Sequence, residues 1–185
     1  MVAAVLLLTL VVRLGGPAPQ EAVILFDTAG KRHSALAVPP GKKLAAFVFV
    51  TNDCPISNAY APEINRLVAE YGKQGVQFSL VHVDAMLARA EAAKHAKEYG
   101  FKCRVLMDPK HLLVTRLGAT ITPETAVVNP KGELLYRGRI DDRYADLGKQ
   151  RPPRTRELRN ALDQALAGKP VSTPRTTAVG CLIPK

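Results

Sequence analysis

The residue best suited to chemistry in this chain is Cys54. It follows the apolar run 44–50, which is typical of a buried strand, and it precedes Pro55, a residue favoured in the first turn of a helix. The unpaired N–H groups of a first turn carry partial positive charge and lower a cysteine pKa below its free value of about 8.5. The sequence therefore predicts a reactive thiolate at Cys54, with a buried structural cysteine as the alternative.

Two further cysteines and one carboxylate bear on this prediction. Cys103 follows Phe101 and Lys102 at the start of a short predicted strand, where burial as a small apolar residue is expected. Cys181 lies in a tail that begins at about residue 170 and is rich in proline and threonine. Asp53 would raise the pKa of its neighbour Cys54 if the two side chains lay close together. Three cysteines allow one disulfide and one leftover thiol.

Histidines and carboxylates give no metal-binding pattern. The four histidines lack the spacing of a metal site, and we expect each to be structural or solvated, with His95 on the polar side of its helix; they are His33, His82, His95 and His111. Asp141 and Asp142 could hold a cation, although adjacent carboxylates more often solvate a loop. The sequence predicts neither a bound metal nor a cofactor.

The overall charge is basic but does not indicate nucleic acid binding. The net charge is +10, yet the 26 Lys and Arg residues are spread along the chain, aromatic residues make up 5%, and tryptophan is absent. Stacking platforms for bases are therefore not expected. We interpret the charge as a solvated basic surface that attracts acidic partners or anionic lipid.

The N-terminal residues resemble a secretory signal. Residues 2–12 are apolar but too few to span a bilayer, and Gly15, Gly16, Pro17 and Ala18 follow them. We expect residues 1–18 to be a signal peptide or a short anchor, with membrane association through residues 2–12. The protein would then be exported to the periplasm or anchored facing it, with one domain over residues 20–185.

The elements that must position Cys54 alternate between strands and helices. The predicted strands are 22–26 and 33–38 as a hairpin, then 44–50, 76–83, 104–107, 125–128 and 133–136; the predicted helices are 55–71, 86–99, 108–118 and 155–166. Pro62 predicts a kink in the first helix. A βαβ unit that carries the cysteine, followed by a hairpin and a closing helix, is the element order of the thioredoxin fold. We therefore predict an α/β fold with a central mixed sheet and an N-terminal β-hairpin extension.

Several short stretches carry a resemblance to a known family. They are Thr-Asn-Asp-Cys-Pro-Ile-Ser-Asn at 51–58, Ala-Pro-Glu-Ile-Asn at 61–65, Leu-Gly-Ala-Thr-Ile-Thr-Pro-Glu at 117–124, Tyr-Arg-Gly-Arg-Ile-Asp-Asp at 136–142 and Ala-Val-Gly-Cys-Leu-Ile at 178–183. Together they resemble the peroxiredoxin-like redoxins of the alkyl hydroperoxide reductase and thiol-specific antioxidant (AhpC/TSA) family. The resemblance covers about residues 20–185.

The resemblance implies roles for individual residues. Pro123 matches the cis-proline that lies beside the active thiol and shapes the substrate groove, and Thr51 matches the threonine that helps to bind peroxide. Cys181 matches the tail cysteine of the group, and a flexible tail could bring it to Cys54 as the resolving thiol. The sequence departs from the family where Ser57 replaces the second cysteine of a Cys-x-x-Cys motif and where Phe47 replaces a proline. Residues 122–124 also lack the arginine of a peroxide pocket.

The resemblance implies an antioxidant-type redox enzyme. We expect a thiol-disulfide oxidoreductase in which Cys54 is the nucleophile and Cys181 resolves the mixed disulfide. The substrate would be a protein disulfide, a small thiol compound or a peroxide, and an external reductant would complete the cycle. One alternative is a thiol peroxidase of the peroxiredoxin type. Another is a carrier that binds Cu(I) through Cys54 and Cys181, with or without His111.

Overall fold

A seven-stranded mixed β-sheet forms the centre of the computed structural model, which describes residues 22–183. The strands are β1 Ile24–Asp27, β2 Arg32–Ser34, β3 Leu44–Val50, β4 Val76–His82, β5 Arg104–Met107, β6 Ile121–Thr122, β7 Glu124–Val128, β8 Leu134–Gly138, β9 Tyr144–Asp146, β10 Lys149–Gln150 and β11 Cys181–Leu182. The helices are α1 Pro55–Ala59, α2 Ala61–Gly72, α3 Arg89–Glu98, α4 Leu112–Leu117 and α5 Glu157–Leu166.

The strand order of this sheet is β2-β1-β5-β4-β3-β7-β8. Strands β3, β4 and β5 are parallel to one another, while β7 and β8 continue the sheet in antiparallel register from β3. The hairpin of β1 and β2 joins antiparallel to β5. The predicted mixed sheet and N-terminal hairpin are therefore confirmed.

Strand β3 is buried on both of its faces, which explains its unbroken apolar sequence. Val48 and Val50 face one hydrophobic cluster, which includes residues of α2 and α5. Phe47 and Phe49 face the other cluster, which includes residues of α4. Burial on both faces fixes β3 rigidly, so the chain that leaves its end carries Cys54 on a well-supported base.

The predicted first helix is two helices, α1 and α2, which meet at Tyr60. Pro62 lies in the first turn of α2, where its missing N–H costs no intrahelical hydrogen bond. Where the sequence predicted a kink within one helix, the structure has a break between α1 and α2. Helix α4 starts at Leu112, later than predicted, because the buried carboxylate of Asp108 accepts the N–H groups of residues 112–114 at 2.7–2.9 Å.

Two segments predicted as irregular contain short strands. The loop 141–154 holds the β9–β10 hairpin, and the tail holds β11, which pairs with β6. No helix among residues 22–183 is long and apolar enough to cross a membrane. The predicted signal or anchor at 1–18, which includes the apolar run 2–12, lies outside the described residues.

Candidate active site

Cys54 lies where β3 gives way to α1, at the N-cap position of that helix. Its side chain is 1% exposed, and its Sγ donates a hydrogen bond to the carbonyl oxygen of Thr122 at 3.2 Å. This is the placement that the strand and proline pattern predicts. The thiol faces the segment before Pro123, on the strand β6.

The surroundings of Cys54 favour its thiolate. Burial alone would raise the pKa of Cys54, but nearby donors outweigh burial and hold the pKa below its ordinary value. These donors are the Cys181 thiol, the Ser57 hydroxyl and the Ser57 backbone N–H, and Thr122 adds a smaller effect. The helix N-terminus and the second cysteine therefore act together on Cys54.

Ser57 is a functional candidate that sequence reasoning noted only as a missing thiol. It lies in the first turn of α1 and is fully buried; within residues 22–183 its Oγ makes no fully formed hydrogen bond, although it lies close enough to Cys54 to lower the pKa of that thiol. A buried hydroxyl without a full hydrogen bond lowers the stability of the fold, so its presence calls for an explanation. Its proximity to Cys54 supplies one, since the hydroxyl can donate a hydrogen bond to a thiolate. The signal in the sequence was the three-residue spacing, which places both residues on the same helical turn.

The peptide bond between Thr122 and Pro123 is cis, as the resemblance implies. Glu124 holds the chain on the N-terminal side of this bond. Its buried carboxylate accepts the N–H of Thr120 at 2.7 Å and lies 3.5 Å from the guanidinium of Arg137. Residues 122–124, where the resemblance would place a peroxide-binding arginine, thus include a carboxylate with a structural role.

Cys181 lies beside Cys54 because the tail is docked as a strand. β11 pairs antiparallel with β6, so that Cys181 stands opposite Thr122, and the Ile183 N–H donates to the Thr120 carbonyl at 3.0 Å. Gly180 permits this approach, since a Cβ there would lie 2.0 Å from the Thr122 oxygen. In this structure, backbone pairing with β6 holds residues 180–183 in place and positions the second thiol near the first.

The two thiols are electrostatically coupled and differ in acidity. Burial raises the pKa of Cys181 to about 12, with further contributions from Cys54 and from the Asp53 carboxylate. Asp53 thus acts on Cys181 and not, as expected, mainly on Cys54. Cys103 lies apart from this pair, packed beside β4, and burial raises its pKa to about 11. All three cysteines are free thiols.

Comparison with known proteins identifies the family. Residues 13–149 match the family model described as Redoxin. The chain belongs to the redoxin family. The predicted resemblance is therefore confirmed. Comparison with curated proteins gives no match.

Solved structures share the fold of this redoxin. An uncharacterized conserved protein from Geobacillus kaustophilus matches with a TM-score of 0.76 at 24% identity, over 93% of this chain and 92% of that chain. A thioredoxin-like protein from Aeropyrum pernix matches with a TM-score of 0.53 at 16% identity, over 63% and 80%. A secreted Mycobacterium tuberculosis disulfide oxidoreductase homologous to E. coli DsbE matches with a TM-score of 0.51 at 18% identity, over 61% and 80%. The predicted thioredoxin-like fold is confirmed.

The remaining predicted site residue of the redoxin, Thr51, lies in the loop between β3 and α1 and is buried. Cys54, Cys181 and the Thr122–Pro123 segment thus meet at one place, and Thr51 stands at the end of the strand that leads to it. Phe47, at the position of the family's proline, lies in β3 and is fully buried on the sheet face that packs against α4.

The histidines of the redoxin serve its structure. The ring of His111 approaches the Val83 carbonyl oxygen at 2.7 Å, and His33 pairs with Asp27 at 2.7 Å. His95 is buried, with Nε2 2.8 Å from the Asn58 Oδ1, so its predicted place on a polar helix face is wrong. His82 packs edge-on against it at 5.0 Å between ring centroids. The contacts of His82 and His95 therefore lie among aromatic rings and an amide rather than in solvent.

Neither aspartate of the adjacent pair is available for a cation. Asp141 binds the Arg143 guanidinium at 2.9 Å, and Asp142 binds that of Arg151 at 2.8 Å. The two carboxylates face different arginines and hold the loop that carries β9 and β10. Within residues 22–183, no three His, Cys, Asp or Glu side chains gather as metal ligands.

Proposed function

We propose that this redoxin is an exported thiol-disulfide oxidoreductase that uses Cys54 as nucleophile and Cys181 as resolving thiol. The observation that carries the proposal is the pairing of Cys181 with Thr122, whose carbonyl oxygen accepts the Cys54 thiol hydrogen. The lowered pKa of Cys54 supports its role, because the thiolate is the attacking species. Export is supported by the apolar run 2–12.

The first step is attack by the Cys54 thiolate on a substrate disulfide. A bond forms between Cys54 and one substrate sulfur as the substrate S–S bond breaks, and the departing thiolate takes a proton from solvent. Once Cys54 is in this mixed disulfide, its negative charge is gone. The charge of Cys54 contributes to the raised pKa of Cys181, so forming the mixed disulfide makes Cys181 easier to ionise.

The second step is attack by Cys181 on Cys54. The new Cys54–Cys181 bond replaces the bond to the substrate, which leaves as a thiol. Two electrons have then passed from the enzyme to the substrate, and an external dithiol reductant restores both cysteines. Protein disulfides and small disulfides both satisfy this chemistry, and the family membership and the fold shared with a disulfide oxidoreductase support a protein substrate.

Reduction of insulin disulfides by a dithiol reductant tests the proposal. We expect catalysis by the wild-type protein, none by Cys54→Ser, and near wild-type activity for Cys103→Ser, the matched control that removes a thiol outside the site. Equal losses in the two variants would remove the basis for calling Cys54 the nucleophile. Failure of the wild-type protein to reduce any disulfide would overturn the proposal as a whole.

A thiol peroxidase is the second candidate, and buried Thr51 favours it, since it stands three residues before Cys54 as in peroxide-reducing relatives. Cys54 would then form a sulfenic acid that Cys181 attacks with loss of water. Residues 122–124 argue against this function, because they lack the arginine that the family would use to bind peroxide, and Phe47 stands at the position of the family's proline. A Cu(I) carrier would require tight uptake that depends on both Cys54 and Cys181, without disulfide reductase activity.

A further inference from the structure

The C-terminal segment is attached to the body of the protein at two places. The Arg137 N–H donates to the Pro174 carbonyl at 3.0 Å, and the Arg137 carbonyl accepts the Thr176 N–H at 3.1 Å. The Thr176 hydroxyl oxygen also accepts the Arg139 N–H at 3.0 Å. Residues 177–183, here called the arm, extend from this fixed base and end against β6.

The arm blocks the approach of an external disulfide to Cys54. The Cys54 side chain is 1% exposed, with the Thr122 carbonyl on one side and the Cys181 thiol close by. Nucleophilic attack requires the substrate sulfur to contact Cys54, in the space that Cys181 now fills. Residues 180–183 must therefore leave β6 before a substrate can react.

Departure of the arm leaves two polar groups near β6, a backbone carbonyl and a side-chain hydroxyl, without their hydrogen-bond partners. The Thr120 carbonyl loses the Ile183 N–H, and the buried Thr122 hydroxyl loses the Cys181 carbonyl, to which it donates at 3.4 Å. Unpaired backbone groups at a buried strand edge favour the addition of another extended chain. An extended segment that carries a cysteine in the register of Cys181 would restore these hydrogen bonds.

We propose that a segment of the substrate protein adds to β6 in place of residues 180–183, and that the segments reacting fastest have the sequence glycine, cysteine, any residue, aliphatic residue. This inference rests on the proposed function and names its substrate class.

Each position of this sequence follows from the arm. Glycine is favoured before the cysteine because a Cβ at Gly180 would lie 2.0 Å from the Thr122 oxygen. The residue after the cysteine is unrestricted, since Leu182 is 77% exposed. An aliphatic residue is favoured next, because Ile183 is buried and packs into the core cluster that contains residues of α4.

The arm and the substrate segment then compete for the same strand edge. As the arm returns, the Cys181 thiolate attacks Cys54, the Cys54–substrate bond breaks, and the substrate cysteine leaves as a thiol together with its strand. The chain's own arm therefore drives product release. The substrate is reduced by two electrons, and the external dithiol reductant resupplies them.

Peptide probes test the sequence requirement. The hexapeptide Ala-Val-Gly-Cys-Leu-Ile is prepared as a mixed disulfide with 2-thiopyridone, and release of thiopyridone is measured with the Cys181→Ser protein. We expect the parent peptide to react at least tenfold faster than one with valine for glycine or one with aspartate for isoleucine. The Cys54→Ser protein is the control for reaction at the intended thiol.

Equal rates for the three peptides, with reaction at Cys54, would overturn the inference and leave the proposed function standing. No reaction of Cys54 with these peptides or with dithionitrobenzoate would instead defeat the proposed function. The two failures are thus distinguishable.

A pair of glycine variants tests the arm within the whole chain. Gly180→Ala should push the arm from β6, so that dithionitrobenzoate reacts with Cys54 about fivefold faster while the internal disulfide forms more slowly. Gly72→Ala is the matched control, because a Cβ there meets nothing within 4 Å. Wild-type rates in Gly180→Ala would contradict the proposal that the arm controls access to Cys54.

Discussion

Cys181 stands in antiparallel register opposite Thr122, the residue whose carbonyl oxygen lies 3.2 Å from the Cys54 sulfur. One residue thus contacts the Cys54 thiol and the backbone of Cys181. While the arm is paired with β6, the distance between the two sulfurs is set by two hydrogen-bonded segments. This pairing holds both thiols of the proposed two-cysteine cycle at one place.

Removing the second thiol should stop the cycle at its midpoint. We predict that Cys181→Ser still attacks an insulin disulfide through Cys54 but accumulates a covalent adduct with its substrate, because no internal thiol remains to break the bond. The adduct is measured as a higher band on a non-reducing gel that disappears on adding dithiothreitol. Cys103→Ser should give no such band, and an adduct in both variants would show that Cys181 is not the resolving thiol.

The hydroxyl of Ser57 should contribute to the acidity of Cys54. We predict that Ser57→Ala raises the pKa of Cys54 and slows its alkylation at neutral pH by about tenfold, since a hydrogen bond to a charged group is worth about 1.5–3 kcal/mol. The pH profile of iodoacetamide alkylation measures this. Ser34→Ala, on an exposed strand away from the site, is the control. An unchanged profile in Ser57→Ala would mean that the hydroxyl does not reach the thiolate.

Peroxide should be a poor substrate. We predict slow consumption of hydrogen peroxide under excess reductant, because residues 122–124 lack the arginine of a peroxide pocket and the Glu124 charge is used to hold the Thr120 backbone. Turnover at rates typical of peroxiredoxins would favour the peroxidase. Thr51→Val separates the two functions: it should leave insulin reduction intact, whereas a peroxidase would lose most of its peroxide turnover.

The buried histidine pair should make the fold sensitive to mild acid. Burial, aided by the nearby His95, lowers the pKa of His82 to about 4. The unfolded chain therefore takes up a proton below pH 6.5 that the folded chain does not, and stability falls as the pH falls. From pH 6.5 to pH 5 we predict a loss of about 2 kcal/mol in the free energy of unfolding.

Urea titrations at several pH values measure this effect. His82→Leu should remove most of the loss, and it should cost little stability at pH 8, because neither ring nitrogen of His82 has a hydrogen-bond partner among the described residues. A pH dependence in His82→Leu as steep as that of the wild type would assign the effect to other groups.

Sequence patterns predicted the features of this molecule that depend on local periodicity. The apolar run 44–50 and the cysteine and proline after it indicated the central strand, the helix start and the place of Cys54 at that helix start. The same patterns could not reveal β6 and β11, because each has two residues and no periodicity. Their pairing is visible only in three dimensions, where Gly180 meets a carbonyl that belongs to Thr122.

His95 illustrates a second limit of sequence reasoning. Helical spacing placed it on a polar face, but its ring is buried against His82 and hydrogen-bonded to Asn58. The partner belongs to a different helix, so the amphipathic pattern of α3 alone carries no information about it. Ser57 is similar: its type and spacing were visible, while its burial and lack of a partner were not.

Disulfide mapping of the oxidised wild-type protein tests the central claim most directly. The protein is oxidised with a stoichiometric thiol oxidant such as diamide, blocked with an alkylating reagent, digested without reduction and analysed by mass spectrometry. We predict one intramolecular bond between Cys54 and Cys181, with Cys103 alkylated as a free thiol. A bond between Cys54 and Cys103, or only intermolecular bonds at Cys181, would contradict the two-cysteine mechanism.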